Sequence, residues 1–125
     1  MRSLLVAIVL LAAAVSGAAH ASAGARATLT VRSSSYGAIL FDGRGRALYA
    51  FTRDRRGGPS RCYGACARAW PVYFASERLV AGKGVKRSLI GTVRRRDGRR
   101  QITYNGRPLY YYVGDTRAGQ VTCQN

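Results

Sequence analysis

Gly45-Arg46-Ala47-Leu48-Tyr49-Ala50-Phe51-Thr52-Arg53-Asp54 returns, 61 residues later, as Gly106-Arg107-Pro108-Leu109-Tyr110-Tyr111-Tyr112-Val113-Gly114-Asp115. Gly, Arg, Leu, Tyr, an aromatic and Asp recur in register, which is the mark of an internal duplication. Each copy follows a glycine-containing turn and a strand-like stretch, so the repeated unit reads as a hairpin whose second strand ends in Asp. In an extended strand Tyr49 and Phe51 share one face and Leu48 and Ala50 the other. Tyr110 and Tyr112 are likewise set against Leu109, Tyr111 and Val113. Each hairpin thus has an aromatic face with a polar rim and an aliphatic face, and core packing is the favoured use of the rings over a stacking platform for sugars or bases.

Outward from the repeat, alternation at period two dominates. Strands are expected over 27–31, 37–41, 47–52, 89–95, 99–104 and 108–113, in antiparallel succession. Asp97-Gly98 and Asn105-Gly106 are strong hairpin-turn signals. The one helical candidate spans 61–69, with Ser60 as N-cap, Pro71 as stop and Gly64 as a weak point. The fold class is therefore mainly β: antiparallel hairpins in two tandem repeats, about 36–54 and 89–115, joined by a Cys- and Trp-Pro-containing linker, about 57–73, with one short helical turn.

Residues 1–21 read as a cleaved signal peptide. Arg2 begins it, an apolar run covers 4–15, and Ala19-His20-Ala21 offers a small-x-small cleavage site. The apolar run falls short of the ~20 residues that span a bilayer, so no membrane anchor is expected after cleavage. Residues 22–125 then form a single secreted domain. His20 is the only histidine, so the mature chain would have no imidazole for general-base catalysis or metal ligation. No catalytic constellation, cofactor or metal site is expected, and no activity.

Three cysteines, Cys62, Cys66 and Cys123, leave one unpaired or paired outside the chain. An exported domain favours a structural disulfide between Cys62 and Cys66, with Cys123 as the alternative partner. A redox role for Cys62 and Cys66 is the rival functional reading, although thiol-redox sites prefer Cys-x-x-Cys.

Asp54 and Asp115 sit just past their strands. Five extended residues cover roughly 16–17 Å, so Tyr49 does not reach Asp54 along a straight strand. The favoured role of each Asp is to close an Asx-type turn, with a bond accepted from the other copy's Tyr or Arg across a pseudo-twofold axis as the alternative. Nothing places them as a catalytic carboxylate pair.

The pattern Tyr-x-aromatic-x-x-Asp, at Tyr49, Phe51, Asp54 and at Tyr110, Tyr112, Asp115, resembles that of a bacterial family of secreted repeats and lipoproteins. Ser60-Arg61-Cys62-Tyr63-Gly64-Ala65-Cys66 followed by Trp70-Pro71 is similar to the same family's linking segment. The resemblance implies an envelope or extracellular location and tandem repeats, and no activity. Members are commonly lipoproteins, whereas the leader here has no lipid-acceptor Cys, so the chain is expected not to be lipidated. Members also usually run on into a Gly-Trp strand, whereas this chain stops at Asn125; a missing strand would expose a sheet edge.

Charge supplies the remaining clue. Lys and Arg number 21 against 5 Asp and Glu, for a formal +16, and arginine accounts for 19 of the 21. Arg55 and Arg56 follow the first motif. Arg94, Arg95, Arg96, Arg99 and Arg100 crowd the Asp97-Gly98 hairpin tip. Guanidinium forks suit phosphate and carboxylate, so these arginines are the expected contacts to an anionic envelope polymer or lipid head groups. Export argues against nucleic acid as the native partner.

Overall fold

The computed structural model describes residues 24–123. The signal peptide expected over 1–21 lies outside them. Leu29–Ser34 (β1) and Gly37–Asp42 (β2) form one antiparallel hairpin. Ser34 Oγ closes its turn, accepting the Tyr36 N–H at 3.0 Å and donating to the Gly37 carbonyl at 2.8 Å. That local cap is why β1 runs on past residue 31, where the alternation alone would stop it.

Tyr49–Ala50 (β3), Ile90–Arg94 (β4), Arg100–Tyr104 (β5) and Arg107–Tyr110 (β6) make a four-stranded antiparallel sheet in the order β3-β6-β5-β4. β3 is shorter than the 47–52 expected because its segment serves two sheets. Ala47 bridges Phe41, and the Leu48 N–H bonds the Leu40 carbonyl at 3.0 Å, so both still belong to the edge of β2. Only Tyr49 and Ala50 then cross to β6.

Asn105 and Gly106 both take positive φ, 51° and 75°, the mirror-image turn that a right-twisted hairpin demands. At the other tip Gly98 alone is positive, at 84°, and the Arg95 N–H bonds the Arg99 carbonyl at 2.9 Å. This is a three-residue loop closed by a glycine bulge.

The linker helix, Ala65–Ala69 (α1), is shorter than 61–69. Gly64, at φ 54°, precedes its first residue and no side chain caps it. Ser60 is not an N-cap: its hydroxyl bonds the Tyr110 hydroxyl at 2.6 Å and accepts from the Arg95 guanidinium at 2.8 Å. Beyond α1 the chain threads the splayed ends of β5 and β6, where the Tyr73 N–H bonds Leu109 and the Tyr73 carbonyl accepts the Ile102 N–H.

Two packed clusters flank the sheet. Leu29, Leu48, Ile90, Ile102 and Leu109 form an aliphatic core. Phe41, Ala47 and Tyr49 form an aromatic one, closed by Trp70 and Tyr112. The alternation along the repeated strand thus sorts Leu48 and Leu109 to one side and Tyr49 and Tyr112 to the other. Trp70 lies 5.5 Å from the Tyr49 ring and 4.9 Å from the Tyr112 ring, so the Trp-Pro linker seals the aromatic side.

Candidate functional site

The repeated motif meets itself. Tyr49 pairs with Tyr110 across β3 and β6. These are equivalent positions of the two copies, so the local two-fold axis passes through this pair. The Tyr49 hydroxyl donates to Asp115 Oδ2 at 2.6 Å, and the Tyr110 hydroxyl donates to Asp54 Oδ2. Each aspartate therefore accepts from the other repeat's tyrosine, the alternative reading, and not the Asx-type turn favoured from the sequence: its backbone donor lies seven residues on, too far for such a turn.

Their remaining oxygens obey the same symmetry. Asp54 Oδ1 accepts the Arg61 N–H at 2.7 Å, and Asp115 Oδ1 accepts the Thr122 N–H at 2.9 Å. Arg61 and Thr122 stand 61 residues apart, as do Cys62 and Cys123. The repeat thus extends beyond Asp115, and Cys123 holds the place that Cys62 holds in the first copy. Comparing residues 60–62 with 121–123 at the same offset would have exposed this, but Cys is the only identity in that stretch and the match is faint.

A third buried aspartate, Asp42, binds the Tyr111 hydroxyl at 2.8 Å and the backbone N–H groups of Arg44 and Arg46. Burial, reinforced by the bond to Asp54, pushes the Tyr110 phenol up to about 12. Tyr49 and Tyr111 are raised by burial first and by their aspartates second. Phenols so placed do not ionise near neutral pH and act here as donors. Phe51 packs edge-on to Tyr110 at 6.3 Å, and Tyr112 lies against Trp70 and Tyr49. All six motif residues, Tyr49, Phe51, Asp54, Tyr110, Tyr112 and Asp115, are engaged in holding the two copies together.

Cys62 and Cys66 form a disulfide, with Cα atoms 5.2 Å apart, and Cys123 is a free, half-buried thiol. Cys62 is fully buried, which shields its sulfur from the in-line attack that thiol exchange needs. The bridge closes the loop carrying Tyr63, the residue on which the arginine-rich tip rests.

The tip is less uniform than its sequence suggests. Arg94, Arg96, Arg99 and Arg100 are exposed, while Arg95 is buried at 6 % exposure. Arg95 is therefore not one of the freely projecting surface contacts expected. Its guanidinium bonds Ser60 Oγ at 2.8 Å, Gln101 Oε1 at 2.9 Å and the Cys62 carbonyl at 2.6 Å. It also lies 4.2 Å from the Tyr63 ring centroid. Arg96 rests on the same ring at 4.3 Å and Arg99 on Phe74 at 3.8 Å.

The β4–β5 register sets Arg94 opposite Arg100, a like-charge pair that opposes pairing. Asp97 answers only Arg99, in an exposed ion pair of 3.0 Å that is the one salt bridge among the described residues. The Arg99 backbone N–H, followed by its side chain, holds the Asp97 carboxyl below its usual range. Of the two arginines after the first motif, Arg56 clamps Asn105 through the carbonyl and Oδ1, and Arg55 stays exposed. Arg61 adds another exposed cation beside Tyr63.

The duplicated, self-pairing motif agrees with the comparison to known families. A family described as a secreted repeat of unknown function matches residues 30–73 and 91–125, together more than half of the chain. The chain belongs to that family. The two matched segments of this secreted repeat each contain one Tyr-x-aromatic-x-x-Asp motif, and residues 91–125 include the arginine-rich tip. No curated protein and no solved structure matches the chain.

Proposed function

We propose that this secreted repeat is an unlipidated, non-catalytic domain exported by a cleavable signal peptide, which binds an anionic polymer or head-group surface of the cell envelope. Arg94, Arg96, Arg99 and Arg100 are its main contacts, with Arg61 and Arg55 beside them. One observation carries the reading: the acidic residues have been withdrawn from the surface. Asp42, Asp54 and Asp115 are buried against tyrosines. Of the five acidic residues that leaves only Asp97 and Glu77 outside, against a crowd of exposed arginines.

The tip also keeps Arg94 opposite Arg100, an arrangement that works against the hairpin and that a bound anion would relieve. The test is co-sedimentation of the mature domain with an insoluble anionic polymer at low and high salt. Binding through these side chains falls steeply with salt, because each neutralised charge releases a counterion. Salt-independent association, or none at low salt, refutes the proposal.

A further inference from the structure

Two grooves meet at Arg95. One, of about 490 Å³, is lined by Arg61, Tyr63, Arg94 and Arg96 with Pro59 and Ser60. The other, of about 410 Å³, runs over Phe74, Pro71 and Val72 with Arg96, Arg99 and Asp97 at its edge. Tyr63, Arg95 and Arg96 line both.

Arg95 is a buried cation with no carboxylate within ion-pair distance among the described residues. Taking a charge out of water without a counter-ion is costly, and neutral acceptors with one ring offset only part of that cost. Its three hydrogen bonds use both Nη1–H groups and one Nη2–H. A guanidinium has five N–H donors. The Nε–H has no acceptor among the described residues and Nη2 makes one of its two possible bonds, so spare donors remain on two nitrogens of one guanidinium, the groups that carboxylate and phosphate oxygens bond.

We infer that the Arg95 fork is a specific subsite for one phosphate group of a linear phosphate-linked chain, whose neighbouring units lie in the two grooves. This rests on the anion-binding reading above and narrows it from a charged patch to a site. A planar carboxylate is saturated by one fork. A tetrahedral phosphate directs its oxygens out of a single plane, so it meets Arg95 below and Arg61 or Arg96 at the rim together. The aromatic surfaces nearby are already covered by Arg96 and Arg99, which leaves hydrogen bonding by guanidinium, and not sugar stacking, as the mode of recognition. Grooves leaving the fork on two sides fit a chain that continues both ways.

The experiment titrates the folded domain with orthophosphate, linear polyphosphate, polygalacturonate and phosphatidylglycerol vesicles, followed by the Arg95 Nε–H NMR resonance and by calorimetry. Polyphosphate is expected to saturate a single site, shift that resonance and bind at least about tenfold more tightly than orthophosphate. Arg96→Gln and Arg61→Gln, both at exposed positions, should each weaken it about tenfold. Arg95→Lys, which keeps the charge but loses the fork, should abolish saturable binding while the domain stays folded. Should that variant unfold, the two rim variants still decide.

Arg87→Gln and Arg107→Gln lie outside both grooves and should change binding less than about twofold. Equal losses from rim and remote variants would overturn the subsite and leave general anion binding intact. The same holds for tighter binding of polygalacturonate, or for binding to vesicles alone. No binding to any of the four probes would overturn both readings.

Discussion

Tyr49 and Tyr110 stand opposite each other on antiparallel strands, and each sends its hydroxyl to the aspartate that ends the other's repeat. The two copies are thereby fastened by a reciprocal clasp at their own symmetry axis. Each copy satisfies one oxygen of its buried carboxylate and takes the bond to the other from its partner copy, which ties the presence of the second repeat to the stability of the first.

Removing either hydroxyl should weaken the fold measurably. Tyr49→Phe and Tyr110→Phe each delete a buried bond to a carboxylate, and each should cost about 1.5–3 kcal/mol. Tyr36→Phe is the control: Tyr36 is exposed, and its loss should stay within about 0.5 kcal/mol. Urea unfolding of the three variants measures this. Clasp variants as stable as the control would show that the phenol–carboxylate bonds contribute nothing.

The raised tyrosines make the protein sensitive to alkali. Tyr110 and Tyr73 are pushed from 10.0 up to about 12, and Tyr49 and Tyr111 are raised too. Between these values the unfolded phenols have lost protons that the folded ones keep. Stability from these groups is thus full below about pH 10 and falls as pH rises toward 12, by about 1.4 kcal/mol per pH unit for each such proton. Phenolate absorbance followed with circular dichroism should show that Tyr49, Tyr73, Tyr110 and Tyr111, among the eight tyrosines, ionise only as the fold collapses. Smooth ionisation of all eight around 10 with the fold intact would contradict the burial described.

The disulfide should matter more for shape than for stability. It closes a loop of four residues' separation, and so short a loop is worth only about 2 kcal/mol on the chain-entropy model. A Cys62→Ala/Cys66→Ala variant should stay folded at moderate temperature yet bind anionic polymer less well, since the loop presents Tyr63 to Arg95 and Arg96. Alkylation of the native protein followed by mass measurement should label one thiol, Cys123. Labelling of all three cysteines would refute the bridge.

The strands, the hairpin turns and the duplication were legible because they depend on local alternation and on Asp-Gly and Asn-Gly chemistry. The Tyr–Asp crossing was only one of two options, because spacing along a strand excludes Tyr49 from Asp54 but says nothing about which other chain segment lies near. Ser60 shows the same limit. Its position ahead of a helical stretch suggests a cap, yet burial beside Tyr110 and Arg95 gives its hydroxyl better partners, and Gly64 starts the helix later. Arg95 was hidden for a related reason. Five arginines in one tip read alike, and only the tertiary contact with Cys62 and Gln101 singles out the one that turns inward.

If the motif holds the fold and the tip meets a partner, as proposed, the two should separate in one paired measurement. Thermal unfolding and salt-dependent binding to an anionic polymer would be recorded for Tyr49→Phe and for the combined Arg94→Gln/Arg96→Gln/Arg100→Gln variant. Tyr49→Phe is predicted to melt several degrees lower, about what 1.5–3 kcal/mol implies for a domain of this size, and to bind as the parent does while folded. The triple variant is predicted to melt at or above the parent temperature, relieved of the Arg94–Arg100 repulsion, and to lose up to about three units of the salt slope with most of the binding. A triple variant that binds with the parent's affinity and slope would contradict the account.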